Sequence, residues 1–157
     1  MSNLLEFRFF VEPSWMDNYG HMTATRYVTV FDDCSIKLLK FYGLGKDYQQ
    51  KSNCGFFTVD LRTQFLRELK EGEPLVVTAR IVEVGHKKVI TYYEMIRQSD
   101  NTLAATHAQI TVHVDLQTRR SIPMPETARV TLEEALQEHS ESPLPGDIFS
   151  SMLSEKS

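Results

Sequence analysis

The sequence has few cysteines, no long apolar run and no excess of positive charge, and each absence excludes a class of protein. Its two cysteines, Cys34 and Cys54, form neither a CxxC motif nor a disulfide framework, which favours reduced thiols. No apolar stretch approaches the roughly 20 residues that a membrane-spanning helix needs, and the N-terminal segment has no signal-peptide pattern. The net charge of -4 argues against nucleic acid as the main partner. We therefore expect a soluble, cytoplasmic protein.

One long helix is predicted between residues 25 and 42. Apolar residues recur there at steps of three and four, at Tyr27, Val30, Phe31, Cys34, Leu38 and Phe41. Thr23 or Thr25 is suited to cap the start of this helix, and Gly43 to end it in a left-handed conformation. The segment 43–53 that follows has no clear period.

Five segments have the pattern of β-strands. They cover residues 4–11, 55–66, 74–85, 88–98 and 103–116. In the last segment Ala108 and Ile110 share a face with other apolar residues, whereas His107 and Gln109 lie on the opposite face, as in a half-buried antiparallel sheet. We expect an α+β fold in which a five-stranded antiparallel sheet wraps its apolar face around the long helix. A second copy of the chain would cover what remains exposed.

The chain is predicted to consist of one domain at residues 1–125 and a C-terminal part at residues 126–157. Thr131 and Glu134 have the spacing of a capping box, which predicts a short helix from Thr131. The Ser/Pro/Glu-rich composition of residues 140–157 predicts a mobile tail.

The stretch WMDNYGHMTATRY at residues 15–27 contains an acid and a histidine four positions apart, just before the helix. Taken alone, an aspartate at this place is most often a turn or cap residue, and a single histidine is most often structural. Asp32 and Asp33 on the helix are alternative carboxylates, although solvated helix positions explain them better. His107 and His113 are about 20 Å apart along a strand, too far to share an ion, so no metal site is predicted.

Asp17, Gly20 and His21 form a D-x-x-G-H motif, which is followed by the aromatic residue Tyr27. With the turn at Gly72 and the sequence HVD at 113–115, this motif resembles that of hotdog-fold thioesterases of the 4-hydroxybenzoyl-CoA thioesterase type, over residues 5–125. WMDNYGHMT, REL at 67–69 and LAAT at 103–106 are similar to the betainyl-CoA thioesterase domains associated with carnitine dehydrogenases. The GxGxxG motif of a dehydrogenase is absent from the sequence.

The resemblance implies a hotdog fold and an acyl-CoA thioesterase that needs no cofactor. It implies that Asp17 acts as general base or as nucleophile, with His21 beside it. Backbone amides at the start of the helix would form the oxyanion hole, at Thr23, Ala24 and Thr25. Side chains or backbone near the substrate would be those of Trp15, Asn18, Tyr19, Gly20 and Tyr27. The site would lie between the subunits of a homodimer or homotetramer.

Betainyl-CoA is the substrate that the resemblance favours, and its quaternary ammonium group suits aromatic faces. A thioesterase for medium-chain, long-chain or aromatic acyl-CoA is the alternative within this class, and a long acyl chain would need an elongated apolar tunnel. A non-catalytic acyl-CoA-binding module is the alternative from another class. The sequence lacks the H-x-x-x-F-P-G and D-x-x-x-N-P-x-H motifs of hotdog dehydratases, which argues against hydration of an enoyl thioester.

Overall fold

Among the described residues the fold combines one sheet with three α-helices. This computed structural model describes residues 3–144, and most of the predicted tail, at 145–157, lies outside them. Along the chain the elements are β1 (Leu5–Phe10), α1 (Ala24–Phe41), α2 (Lys46–Ser52), β2 (Cys54–Phe65), β3 (Pro74–Val84), β4 (Lys88–Arg97), β5 (Thr102–Asp115), β6 (Arg120–Ser121) and α3 (Glu126–His139). No helix within the described range is both long and apolar enough to span a membrane.

The strands form a single antiparallel sheet in the order β1-β3-β4-β5-β2, and β6 pairs with the end of β5. Short connections join β3 to β4 and β4 to β5, so consecutive strands lie side by side. The predicted α+β fold, a five-stranded antiparallel sheet wrapped around one long helix, is confirmed, with the two-residue β6 added to it. Strands β1 and β2 lie at the two ends of this order.

Helix α1 buries the apolar stripe that its residue spacing predicts. The side chains of this stripe that are at most 3% exposed are Tyr27, Val30, Phe31, Cys34 and Leu38. Phe41 is the exception, because it lies in the last turn and is 65% exposed. Gly43 follows the helix with a φ of 76°, the left-handed conformation predicted for it.

The face of β5 that meets α1 is the polar face, and the prediction that the apolar face would cover the helix is wrong for this strand. The Phe31 ring stacks on the His107 ring, with centroids 4.8 Å apart. Ala108 and Ile110 point to the other side of the sheet, where they form a second buried cluster with Ile90. Alternation therefore identifies the strand correctly but does not identify which side faces the helix.

Hydrogen bonds between side chains explain how polar residues are accommodated beneath α1. His107 Nε2 donates to Gln109 Oε1 at 2.9 Å, because an amide oxygen only accepts. His107 Nδ1 then accepts from Thr63 Oγ1 at 2.7 Å. Gln109 Nε2 donates to Ser35 Oγ of α1 at 3.0 Å. Each buried partner is satisfied by the next, which removes most of the cost of burying it.

Two helices differ from the predictions. Helix α2 was not predicted, since its segment lacks a period; its Tyr48 hydroxyl lies 2.7 Å from His113 Nε2, a contact between elements that local spacing does not reveal. Helix α3 begins at Glu126, so the capping box predicted at Thr131 is wrong. Thr131 Oγ1 instead donates to the Thr127 carbonyl oxygen inside the helix, at 2.9 Å.

The C-terminal end of α3 packs against the part of β3 that extends past the end of its pairing with β1. Pairing between β1 and β3 ends at Leu5 and Ala79. The next available amide, that of Ile81, donates to His139 Nδ1 at 2.9 Å, and Arg80 Nη2 donates to the His139 carbonyl oxygen at 2.8 Å. Burial lowers the pKa of His139, and the charge of Arg80 lowers it further.

We expect the free energy of unfolding to decrease as the pH falls from about 7.5 to about 5.5. His139 and His107 both have a pKa below the ordinary 6.5 because they are buried, so the unfolded chain binds protons more readily. Each buried neutral histidine makes its full contribution to the free energy of unfolding above the pKa that it has in the unfolded chain. Below that pKa the contribution decreases, by at most about 1.4 kcal/mol per pH unit for each histidine.

Urea unfolding at both pH values measures this dependence. The substitution His139→Gln should weaken it, whereas His86→Gln, at an exposed position, should not. If the parent protein and both variants show the same pH dependence, the burial of His139 does not contribute to it and the explanation is wrong.

Candidate active site

The D-x-x-G-H residues form a tight turn immediately before α1. Met16 and Met22 pair as an isolated antiparallel bridge across it. Inside the bridge, the Asp17 N–H donates to the His21 carbonyl oxygen at 2.9 Å. Gly20 has a φ of 82°, a conformation that glycine adopts without steric cost. The turn therefore brings the Asp17 and His21 side chains to the same place.

The Asp17 carboxylate has one oxygen engaged in the turn. Oδ1 accepts the Tyr19 N–H at 2.8 Å. Oδ2 lies 3.6 Å from His21 Nδ1, a distance at which the attraction is electrostatic rather than a short hydrogen bond. The side chain is 25% exposed, so water can reach it. Asp17 thus fills the role of a turn residue with one oxygen and leaves the other available for chemistry.

The orientation of the His21 ring follows from its backbone contact. Nδ1 lies 3.2 Å from the Met22 carbonyl oxygen, which only accepts, so Nδ1 carries a proton in this contact. In the neutral ring, Nε2 then retains its lone pair. The exposed Tyr19 ring lies nearly parallel to the His21 ring, with centroids 6.2 Å apart. His21 is therefore held between Asp17 and the helix start with one nitrogen able to accept a proton.

Backbone hydrogen bonds attach this turn to the core and leave the first helical amides open. The Met22 N–H donates to the Leu69 carbonyl oxygen at 2.7 Å. The Thr23 N–H donates to the Trp15 carbonyl oxygen at 2.9 Å, so it is not free, and the prediction that it belongs to an oxyanion hole is wrong. Ala24 and Thr25 begin α1, where amides lack intrahelical acceptors, and the Thr23 side chain does not cap them.

A cavity of about 240 Å³ lies beside His21 at this helix terminus. One wall comes from the turn and helix, and the other from the end of β2 and the connection to β3. Its lining residues are His21, Met22, Ala24, Tyr27, Phe65, Leu66, Arg67 and Glu68. The Tyr27 hydroxyl donates to the Arg67 carbonyl oxygen at 3.0 Å, and its ring meets Phe65 edge to face at 5.3 Å. These two contacts join the helix to the opposite wall.

The cavity brings together only some of the residues predicted to form the site. Of those residues, His21, Ala24 and Tyr27 line it. Asp17 stands behind His21 in the turn, and Trp15 packs against the core. Asn18, Tyr19 and Gly20 are exposed on the outer side of the turn.

The sequence does not predict a site role for Phe65 or Glu68 in the second wall of the cavity, although Arg67 is among the basic residues that could contact the CoA phosphates. Phe65 and Glu68 reach this wall through the antiparallel pairing of β2 with β5, a long-range arrangement that local periodicity does not reveal. The local signal for this wall is the sequence REL at 67–69, which contains Glu68 and is shared with the betainyl-CoA thioesterase domains that the chain resembles.

The alternative carboxylates lie elsewhere. Asp32 lines a different cavity, also of about 240 Å³, between α1 and β2, where His107 and Gln109 contribute polar groups. Asp33 is exposed. In the part of the chain that the structure describes, no group of three or more His, Cys, Asp or Glu residues is placed to hold a metal ion.

Comparison with known proteins identifies a family model and curated relatives. The model of the thioesterase-like superfamily matches residues 11–136. An L-carnitine dehydrogenase/betainyl-CoA thioesterase of Agrobacterium fabrum is 31% identical over 135 residues, which are 86% of this chain and 27% of that protein. A betainyl-CoA thioesterase of Pseudomonas aeruginosa is 26% identical, over 86% of this chain and 85% of its own length. The chain thus spans about a quarter of the length of the dehydrogenase relatives that it matches.

Solved structures show the same architecture. A Staphylococcus aureus protein determined in complex with CoA superposes with a TM-score of 0.88 and 23% identity, covering 93% of this chain and 92% of that one. Some of the other similar structures are named acyl-CoA thioesterases, among them a gentisyl-coenzyme A thioesterase with a TM-score of 0.71 and 20% identity, covering 82% of this chain and 99% of that one. At this level of identity the likeness establishes the hotdog fold.

We expect the substitution Gly20→Ala to lower the free energy of unfolding by about 1 kcal/mol, because alanine is strained at positive φ. A Cβ at this position would meet no atom within 4 Å, so the strain comes from the backbone alone. The matched variant Gly20→Asn should lower the free energy of unfolding by less than Gly20→Ala does, since asparagine tolerates the left-handed region. Urea unfolding of the three proteins measures the difference; equal losses for alanine and asparagine would contradict the explanation.

Proposed function

The chain belongs to the thioesterase-like superfamily, and from this membership we propose that it is an acyl-CoA thioesterase whose preferred substrate is betainyl-CoA, hydrolysed to glycine betaine and CoA. The observation that carries the proposal is the position of the Asp17–His21 turn, directly before the open amides of α1 and beside a cavity. A thioesterase needs an acid or base, an oxyanion site and space for an acyl group, and these three features are adjacent here.

In this proposal the thioester carbonyl points to the start of α1. The Ala24 and Thr25 amides and the positive end of the helix dipole would stabilise the charge that develops on the carbonyl oxygen. One well-placed donor of this kind is worth about 3 to 4 kcal/mol of the activation barrier.

Asp17 supplies the second requirement by one of two routes. As general base, its Oδ2 would take a proton from a water molecule that attacks the carbonyl, and His21 would hold that water. As nucleophile, Oδ2 would attack the thioester carbonyl, and the C–S bond would break to release CoA as its thiolate. Water would then cleave the resulting mixed anhydride to the free acid and the Asp17 carboxylate. In both routes, the Tyr19 N–H on Oδ1 keeps the carboxylate in place.

The volume of the cavity within a single copy of the chain is consistent with a short acyl group. Its volume of about 240 Å³ is below the range of roughly 300 to 1,000 Å³ of pockets for drug-sized ligands. A palmitoyl chain would need a longer apolar tunnel, whereas a betainyl group is compact. The names of the two curated relatives support the same acyl group. Two unpaired cysteines, Cys34 and Cys54, agree with a cytoplasmic site of action.

We further propose that the active form contains a second copy of the chain paired along β2. This strand is an edge of the sheet among the described residues, and it carries apolar side chains that are at least 40% exposed, namely Phe57, Val59, Leu61 and Phe65. An exposed apolar edge is a template for strand pairing, and an identical edge makes the pairing self-complementary. The cavity adjoins Phe65, so the second copy would help to enclose the substrate.

The first test is an assay of free thiol release from betainyl-, acetyl-, 4-hydroxybenzoyl- and palmitoyl-CoA. We expect betainyl-CoA to be preferred and Asp17→Asn to reduce kcat by at least about 100-fold, since a general base contributes that much or more. Asp33→Asn, on the exposed side of α1, is the matched control and should retain activity.

The other outcomes of this assay are equally informative. A preference for a different acyl group would refute betainyl-CoA but keep the enzyme class. No release from any thioester would favour a non-catalytic acyl-CoA-binding module. If Asp32→Asn lowers kcat more than Asp17→Asn does, the reaction takes place in the cavity between α1 and β2 instead.

The second test concerns the β2 edge. The substitution Val59→Glu should shift the protein toward monomers in analytical ultracentrifugation, because it places a charge on the apolar edge. Val130→Glu, on α3, introduces the same charge at a position that is 40% exposed and should leave the assembly intact. A monomeric parent protein at micromolar concentration would refute the paired form.

A further inference from the structure

A carboxylate and two aromatic rings share the cavity with His21. Glu68 follows the end of β2 and is one of the residues that line the cavity, together with Tyr27 and Phe65. The Tyr27 ring is fixed at both ends, by its place in the core and by its hydroxyl bond to Arg67. Phe65 is 50% exposed and stands edge to face with it. Aromatic rings with an adjacent carboxylate are the surroundings that favour a quaternary ammonium ion.

The negative charge of Glu68 is available at this place. Burial raises the pKa of the Tyr27 hydroxyl, and the charge of the Glu68 carboxylate raises it further. Among the described ion pairs none involves Glu68. Two guanidinium groups lie close by in the sequence or the fold. Arg97 Nη1 donates to the Glu68 backbone carbonyl oxygen at 3.4 Å while its Nη2 pairs with Asp100 at 2.8 Å, and Arg67 Nη1 donates to the Leu66 carbonyl oxygen at 2.6 Å.

The covalent structure of a betainyl thioester requires the cation to lie close to the attacked carbonyl. A single methylene separates the two groups, which puts the nitrogen about 2.5 Å from the carbonyl carbon. If the carbonyl oxygen binds the Ala24 and Thr25 amides, the trimethylammonium group must lie in the same cavity. The far wall of that cavity is formed by Phe65 and Glu68.

We infer that Glu68, Phe65 and Tyr27 form the subsite that binds the cationic head of the acyl group and so select betainyl-CoA over neutral acyl-CoA thioesters. The inference rests on the proposed function. Of the aromatic residues that the resemblance implies near the substrate, only Tyr27 belongs to this subsite, since Trp15 packs against the core and Tyr19 is 86% exposed and does not line the cavity.

The test compares two substrates of the same shape that differ in charge. In 3,3-dimethylbutyryl-CoA a carbon atom replaces the quaternary nitrogen of betainyl-CoA, so the ratio of the two kcat/KM values measures recognition of the cation. We expect Glu68→Gln to lower this ratio about five- to tenfold, as suits a partly exposed charge pair with aromatic support. Glu71→Gln removes the same charge from the nearby exposed turn and should leave the ratio unchanged. Phe65→Leu should lower the ratio by removing a ring.

Binding of tetramethylammonium, measured by calorimetry, separates the subsite from the reaction. The parent protein should bind this ion more tightly than Glu68→Gln does. If the parent protein hydrolyses betainyl-CoA but Glu68→Gln leaves the ratio unchanged, the subsite is refuted and the proposed function stands. If the parent protein does not hydrolyse betainyl-CoA, the proposed substrate is refuted, and tetramethylammonium binding decides the subsite: Glu68-dependent binding supports it, and its absence refutes it.

Discussion

The burial of α1 against the inner face of the sheet determines where every group of the candidate site lies. Phe31, with no exposed surface, stacks on His107, and Cys34 is buried so completely that its pKa rises to about 12. Burying each large apolar side chain of such a stripe contributes roughly 1.5 to 3 kcal/mol. The helix therefore cannot shift along its axis without losing much of the stability of the domain. The first-turn amides of Ala24 and Thr25 are consequently held at one place relative to the sheet.

Two contacts at the helix start then connect this fixed helix to the β2–β3 connection. The Met22 amide donates to Leu69, and the Tyr27 hydroxyl donates to Arg67. The cavity lies at this junction, with the helix start and the Asp17–His21 turn on one side and the residues after β2 on the other. A substrate bound there would contact both sides, and its charge and shape would be recognised by residues far apart in the sequence. The same arrangement leaves the β2 edge open beside the cavity, which is why a second copy of the chain is relevant to the chemistry.

The parts of this arrangement that depend on local sequence could be predicted, and those that depend on tertiary contacts could not. The helix stripe, the left-handed Gly43 and the strand positions follow from spacing and from the conformational freedom of glycine. The inward face of β5 was mispredicted because hydrogen bonds among His107, Gln109 and Ser35 make a polar face suitable for burial. Phe65 and Glu68 were not recognised as site residues, because only strand pairing brings them to the helix start. Thr23 was wrongly included because its amide bond to Trp15 depends on how the turn closes.

The most direct test of the central claim is a crystal structure with an inert betainyl-CoA analogue in which a methylene group replaces the thioester sulfur. The account predicts that the ketone oxygen lies within about 3 Å of the Ala24 or Thr25 amide nitrogen, with the Asp17 carboxylate on the opposite side of the carbonyl. A carbonyl group found instead in the cavity between α1 and β2, next to Asp32 and His107, would contradict it.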